Sequence, residues 1–315
     1  MAATHAAAFV ATTEDLLEGW LVDPPPVLRS GGLGVRELRR AATRLDRPEH
    51  EVAMLVETAH AAGLLGALRY ESWLPTTVYD GWREQAIGTR WLTLASSWLD
   101  STRLPGLVGA RDERGKAVPA LGYELVRSPA VTWRAATLEA IATLPAGTSA
   151  TAESVVAWLQ WRSPRRGGEF RDEVARWTLR EAEQLGLTGG GAIAAYGRQL
   201  LVRDRAGATA TLTALLPEPV DHVLVQADLT AIAPGPLTRE LARELGLAAD
   251  IESRGQATVY RFTESSVRRA LDSGRTASDL HDLLARHSRT PVPQPLSYLI
   301  DDMARRHGRI RVGTA

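Results

Sequence analysis

Twice along this chain of 315 residues the same order recurs: an amphipathic helix, a tight break, a second helix, a glycine stop and a short apolar run. In the first occurrence Val35, Leu38, Ala42 and Leu45 fall on one face at the 3.6-residue period of a helix. Asp46 and Arg47 break the pattern. Pro48 then suits the start of the next helix, where its missing N–H would be unpaired in any case. That helix turns Val52, Leu55, Val56 and Ala59 inward and stops at Gly63, because glycine adopts a left-handed cap without steric cost. Leu64-Leu65 opens an extended run. In the second occurrence, helices over 129–143, 151–162 and 169–185 lead to Gly186 and Leu187-Thr188-Gly189.

Helix, turn, helix and extended run is the order of a winged helix-turn-helix. With a first helix over 12–22 and a wing over 67–80, residues 1–90 are expected to form one such domain, and 129–214 a second. Residues 91–128 read as a helical connector in which Trp91 and Trp98 pack between domains rather than against a cofactor. Leu215-Leu216-Pro217-Glu218-Pro219 marks the clearest break. Beyond it, 219–315 reads as α+β. Strands run over 223–233, a helix from Pro236 to Leu247, and a hairpin turns through 253–256. Helices follow from Thr263, from Thr276 or Ser278 and from Pro293, and Arg309-Ile310-Arg311-Val312 returns as a strand. The fold class is mainly α with small β elements: tandem winged-helix-like domains followed by an α+β domain.

Several functions are excluded or disfavoured by residue type. Without cysteine there is no disulfide scaffold, thiolate-held zinc, iron–sulfur cluster or thiol nucleophile. No apolar run approaches the ~20 residues of a membrane span, and the start lacks the charged region of a signal peptide, so a cytoplasmic or nucleoid-associated protein is expected. A phosphate-gripping loop needs glycines, a lysine and a hydroxyl in G-x-x-x-x-G-K-[ST]. The single lysine, Lys116, stands in Ala110-Arg111-Asp112-Glu113-Arg114-Gly115-Lys116-Ala117, which fails at the first glycine and at the hydroxyl. Gly189-Gly190-Gly191-Ala192-Ile193-Ala194 fits the loose dinucleotide pattern but follows a helix rather than a strand, and reads better as a helix-to-wing turn. His50-Glu51 begins a zinc-protease pattern that Met54 and Leu55 do not complete. Tyr298-Leu299-Ile300-Asp301-Asp302 reads as a helix with a charged face. No cofactor, metal or catalytic residue is expected.

What remains is charge. The 37 basic and 37 acidic residues balance, which argues against a general polyanion binder but leaves local patches possible. Nearly all cations are arginines, as a GC-rich genome would favour. In the first unit, the second helix carries Glu49, Glu51 and Glu57 and no lysine or arginine, poor chemistry for a DNA groove and better suited to a protein contact. The helix before it, with Arg36, Arg39, Arg40, Arg44 and Arg47, could touch a phosphate backbone. In the second unit, Trp161-Arg162-Ser163-Pro164-Arg165-Arg166-Gly167-Gly168-Glu169-Phe170-Arg171 joins bases and aromatics in one turn. Arg162, Arg165, Arg166 and Arg171 are therefore nucleic-acid candidates, against the alternative of a solvated loop. Near the C-terminus, Arg286, Arg289, Arg305 and Arg306, with His281, His287 and His307, could form an anion-binding face. The alternative is pairing with Asp279, Asp282, Asp301 and Asp302.

The run Ala249-Asp250-Ile251-Glu252-Ser253-Arg254, then Tyr260-Arg261-Phe262-Thr263-Glu264-Ser265-Ser266, then Ser288-Arg289-Thr290-Pro291-Val292-Pro293 and His307-Gly308-Arg309-Ile310-Arg311-Val312 resembles the N-terminal domain of XPB-type helicases over about 219–313. In eukaryotic relatives the last part likewise reads as a helix, S-K-T-x-V-P, a helix and Y-G-K-V-K-L-V. The rest is similar to the region upstream of that domain in longer actinobacterial helicase-associated proteins, so a fragment or short member is expected. In the eukaryotic family the domain docks to a partner subunit in TFIIH, beside the motor. The resemblance implies docking and transfers no catalytic residue. The expected function is a non-enzymatic DNA-transaction protein that binds DNA or docks a helicase, transcription or repair partner. The alternatives are a protein scaffold without nucleic-acid contact and a ligand-sensing regulator whose arginine-rich site takes an anion or nucleotide.

Overall fold

The computed structural model describes residues 1–69, 71–166, 168–254 and 257–307. The chain divides into two compact units, Met1–Leu216 and Pro217–Ala315. The structure is mainly helical with small antiparallel sheets.

Unit 1 begins with α1 (Ala2–Val22), ten residues earlier than the sequence pattern suggests. The early part is rich in alanine, but Ala6, Phe9 and Val10 continue the buried stripe of Thr13, Leu16, Leu17 and Trp20 without a break. Next come α2 (Val35–Leu45), α3 (Glu49–Ala61), β1 (Leu65–Leu68) and β2 (Ser72–Pro75). Gly63 ends α3 at φ +72°. The expected wing over 67–80 is shorter than its range: β1 and β2 pair Leu65 with Pro75 through Leu68 with Ser72. The Thr76 hydroxyl then accepts from Val78 N and starts α4 (Thr77–Arg83).

In α5 (Ile87–Asp100) Trp91 and Trp98 are fully buried, and each indole N–H finds an acceptor, as buried tryptophan requires. Trp91 donates to Leu185 O at 2.8 Å, and Trp98 to Glu181 Oε2 at 2.8 Å. The chain from Ser101 to Pro129 carries two 3-10 turns, Pro105–Leu107 and Tyr123–Leu125. Then follow α6 (Ala130–Ala142), α7 (Ala152–Arg162), a 3-10 turn Pro164–Arg166 and α8 (Glu169–Gln184). Strands β3 (Thr188–Gly189) and β4 (Ala192–Ile193) close through Gly190 and Gly191, both at positive φ, the two-residue hairpin turn that glycine favours. A Cβ on Gly191 would lie 2.6 Å from Ala150 O. Helices α9 (Ala195–Leu201) and α10 (Arg205–Leu215) complete the unit. One buried apolar cluster runs from Ala6 to Leu212, and a satellite holds α6, α7 and α8 together.

Among the described residues, unit 2 contains a four-stranded antiparallel sheet ordered β5–β6–β8–β7, formed by β5 (Leu224–Val225), β6 (Thr230–Ala233), β7 (Asp250–Arg254) and β8 (Thr258–Arg261). Helix α11 (Arg239–Ala248) bridges β6 and β7, and α12 (Glu264–Asp272), α13 (Ala277–His287) and α14 (Gln294–Arg306) follow. Thr263 and Thr276 open α12 and α13 as reciprocal capping boxes with Ser266 and Asp279. Leu245, Val267, Leu284, Leu296 and Ile300 meet the sheet residues Val225, Ala231 and Tyr260 in one core. Gly255 and Gln256, in the expected hairpin turn, and the expected strand Arg309–Val312 lie outside the described residues. No helix among the described residues is long and apolar enough to cross a membrane.

Candidate nucleic-acid interface

The turn between α7 and α8 is built by local sequence. Thr151 caps α7 by accepting from Ser154 N at 3.2 Å, and Val155, Val156 and Leu159 bury one face. The opposite side leaves Trp161 79% exposed. Ser163 leaves the helical region because the following Pro164 crowds it, so α7 stops at Arg162. Gly168 at φ +139° then admits the chain to α8. The two helices are tied by Gln160 Nε2 donating to Asp172 Oδ2 at 2.6 Å. Phe170 stands edge-on between Trp133 and Trp177, with ring centroids 6.0 and 6.1 Å apart.

The candidate arginines of this turn are not equivalent. Arg162 is exposed, with its guanidinium 5.1 Å from the Trp158 ring centre. Arg165 is exposed and has no hydrogen bond or ion pair among the described residues. The side chain of Arg166 lies outside the described set. Arg171 is turned inward, with Nε and Nη2 buried and without a hydrogen-bond partner among the described residues. The turn therefore presents two exposed guanidinium groups, one of them over Trp158, and one open indole, Trp161. Guanidinium forks bind phosphate oxygens, and an exposed indole can stack a base.

The C-terminal arginines are in a different condition. Arg305 and Arg306 both reach Asp302, at 3.6 and 2.8 Å. Arg289 stands 3.8 Å from Asp221, and Arg286 Nε donates to Asp282 O at 3.3 Å. His281 contacts Asp301 at 2.9 Å, His307 contacts Asp272 at 2.8 Å, and His287 Nδ1 meets Asp221 O at 2.6 Å. Asp279 caps α13, and the Thr276 backbone N–H and hydroxyl hold its carboxyl below the usual range. The structure thus spreads these bases over local acceptors. No group of three or more metal-binding side chains occurs among the described residues.

On α2, Arg39 pairs with Glu49 at 2.9 Å, Arg40 with Asp23, and Arg44 donates to Asp15 O and Leu16 O at 3.3 and 3.2 Å. Arg47 stands 3.8 Å from Glu51, and Arg36 is exposed. α3 is buried from Val52 through Thr58 to Ala59. Its Glu57, 2% exposed, binds Arg103 Nε at 2.5 Å and accepts from Leu121 N.

Sequence reasoning missed a second buried charge, Arg134 of α6. Its guanidinium lies 4.9 Å from the Trp98 ring centre and donates to Ser101 O and Arg103 O at 2.7 and 2.9 Å. Burial pushes the Glu181 carboxyl up from its ordinary value, opposed by the charge of Arg134 and by donors from Trp98 and Gly106. A lone arginine inside the apolar run of α6 was the available signal.

Comparison with known proteins adds one assignment. A family model described as the helicase conserved C-terminal domain matches residues 223–315, which covers nearly all of unit 2. No match to the chain is found among curated proteins. The C-terminal third of the chain is therefore helicase-related.

Proposed function

We propose that the chain is a non-enzymatic accessory protein in DNA transactions. Unit 2, read as an XPB N-terminal-like module, docks a helicase, transcription or repair partner, and α7, α8 and the β3–β4 hairpin serve as a winged-helix-like DNA contact. The observation that carries this reading is the turn at 161–165. Among the described residues Arg162 and Arg165 have no carboxylate partner there, and they follow the exposed Trp161 in the same turn, in a chain whose other end matches a helicase domain. The paired arginines 286, 289, 305 and 306 offer phosphate less, because a new anion must displace an existing contact.

Fluorescence anisotropy with labelled double-stranded, single-stranded and forked DNA over a salt series tests the proposal. Affinity should fall steeply with salt as phosphate counterions are released. Replacing Arg162, Arg165 and Arg166 together with alanine should weaken binding on unrelated sequences alike and lower the log–log salt slope by about two to three, roughly 0.9 per lost phosphate contact. The double variant Arg305→Ala/Arg306→Ala should bind as the native chain does. Unchanged affinity in the triple variant would remove the turn as the contact, and no binding to any of the three DNA forms would leave docking alone.

A further inference from the structure

Unit 1 holds an open cleft of about 500 Å³ bounded by α1, α3, α8 and the 3-10 turn Pro105–Leu107, a volume typical of small-molecule sites. Its deeper wall is apolar: Phe9, Met54 and Leu55 are buried. Trp177, half-buried, completes that wall and packs so closely on Gly106 that a Cβ there would collide with the indole.

The polar groups around this cavity divide into committed and uncommitted ones. Glu181 is committed to Trp98 and faces the charge of Arg134. Glu183 Oε1 accepts from Gly190 N at 3.0 Å, and His5 Nδ1 meets Glu183 O at 3.1 Å. The Glu51 carboxylate has, among the described residues, the long contact to Arg47 one helical turn away, and its backbone oxygen accepts from Gln184 Nε2 at 2.8 Å. Arg180 is exposed and makes no hydrogen bond or ion pair among the described residues. An apolar recess therefore ends at a guanidinium that has no hydrogen bond among the described residues and acts on Glu181 through its charge alone. A neutral ring would leave that donor fork unused, whereas of the carboxylates lining the same cavity Glu181 is held by Trp98 and Arg134 and Glu183 by the Gly190 N–H.

We propose that this cavity binds a small organic anion with a flat apolar body. The body lies against Phe9 and Trp177, and the anionic group takes Arg180. The site is independent of DNA contact at the α7–α8 turn.

Anilinonaphthalene sulfonate, whose fluorescence rises on leaving water, is a direct probe for the full chain, with uncharged phenylnaphthylamine as the comparison. The sulfonate should bind saturably and about tenfold more tightly than the neutral compound, the scale of one charge-assisted hydrogen bond. Arg180→Ala should abolish that preference while the neutral compound binds as before. Ala8→Trp, at an exposed helical position that lines the cavity, should block both probes in a protein whose circular dichroism and melting are unchanged. Absence of saturable binding, equal affinity for the two probes, or full binding by Ala8→Trp would each overturn the proposal.

Discussion

The trio α2, α3 and β1–β2 and the trio α7, α8 and β3–β4 have the same element order and opposite fates. α3 is buried on every side from Val52 to Ala59, with α1, α5 and the segment around Leu121 covering it. α8 buries only the stripe Val174, Ala175, Thr178, Glu181 and Ala182. The cause is in the helices themselves. α3 reads Val-Ala-Met-Leu-Val through its middle, and a helix apolar all round becomes a core helix. α8 carries charge at half its positions and can bury one face only. Element order alone therefore does not mark a DNA-reading helix; what covers the second helix decides whether it can meet a ligand.

Glu57 gives the largest expected effect. Glu57→Ala leaves Arg103 buried beside an empty site and Leu121 N without its acceptor. Breaking a buried pair in this way costs about 3–5 kcal/mol. Glu169→Ala, at the exposed start of α8, should stay within about 0.5 kcal/mol of the native chain. Urea denaturation of the two variants checks the contrast; equal losses would mean that α3 is no more enclosed than α8.

The stop glycines give the next test. Gly63 and Gly186 end α3 and α8 at φ +72° and +75°. A Cβ on Gly63 meets nothing within 4 Å, whereas one on Gly186 collides with the α1 backbone at Ala2 and Ala6. Gly63→Ala should cost about 1–2 kcal/mol for the left-handed conformation alone. Gly186→Ala adds overpacking of about 1–3 kcal/mol more. Melting temperatures should fall in that order, and a reversal would mean that α1 yields readily at Gly186.

The same comparison shows what could be read in the sequence. Glycine stops, capping threonines and the positions of α2, α3, α6, α7 and α8 follow from local chemistry, so they were legible. Thr151→Ala should therefore cost about 1 kcal/mol, measured by thermal melting. α9 and α10 were not legible, because Gly197, Gly207 and the threonines of α10 are weak helix formers and the helices depend on packing, α10 against α5 and α9 against α10 and α6. The basic turn was legible as composition, but which of its arginines is open was not. Arg162 and Arg171 look alike in the sequence, and only the fold turns one outward and the other in. Arg134 showed only as a lone arginine in the apolar run of α6; that it is buried did not, because its acceptors, Ser101 O and Arg103 O, lie more than thirty residues away.

Asp100 and Arg203 provide the smallest effect and the sharpest contrast with Glu57 and Arg103. Their contact is bidentate, at 2.6 and 2.9 Å, but the side chains are 44% and 56% exposed. Hydrogen bonding to Arg203 holds the Asp100 carboxyl below its ordinary value of 3.8, with partial burial opposing. A carboxyl depressed in the folded state adds stability above its unfolded value, and that contribution is lost as pH falls through the folded one. Solvent screening limits it to less than about 1 kcal/mol. Asp100→Asn should accordingly melt slightly below the native chain at pH 7, and the two melting curves should converge as the pH falls below 3.8. A gap as large as that of Glu57→Ala would show that exposure does not separate these two ion pairs, and the distinction drawn between the covered helix and the open one would lose its physical basis.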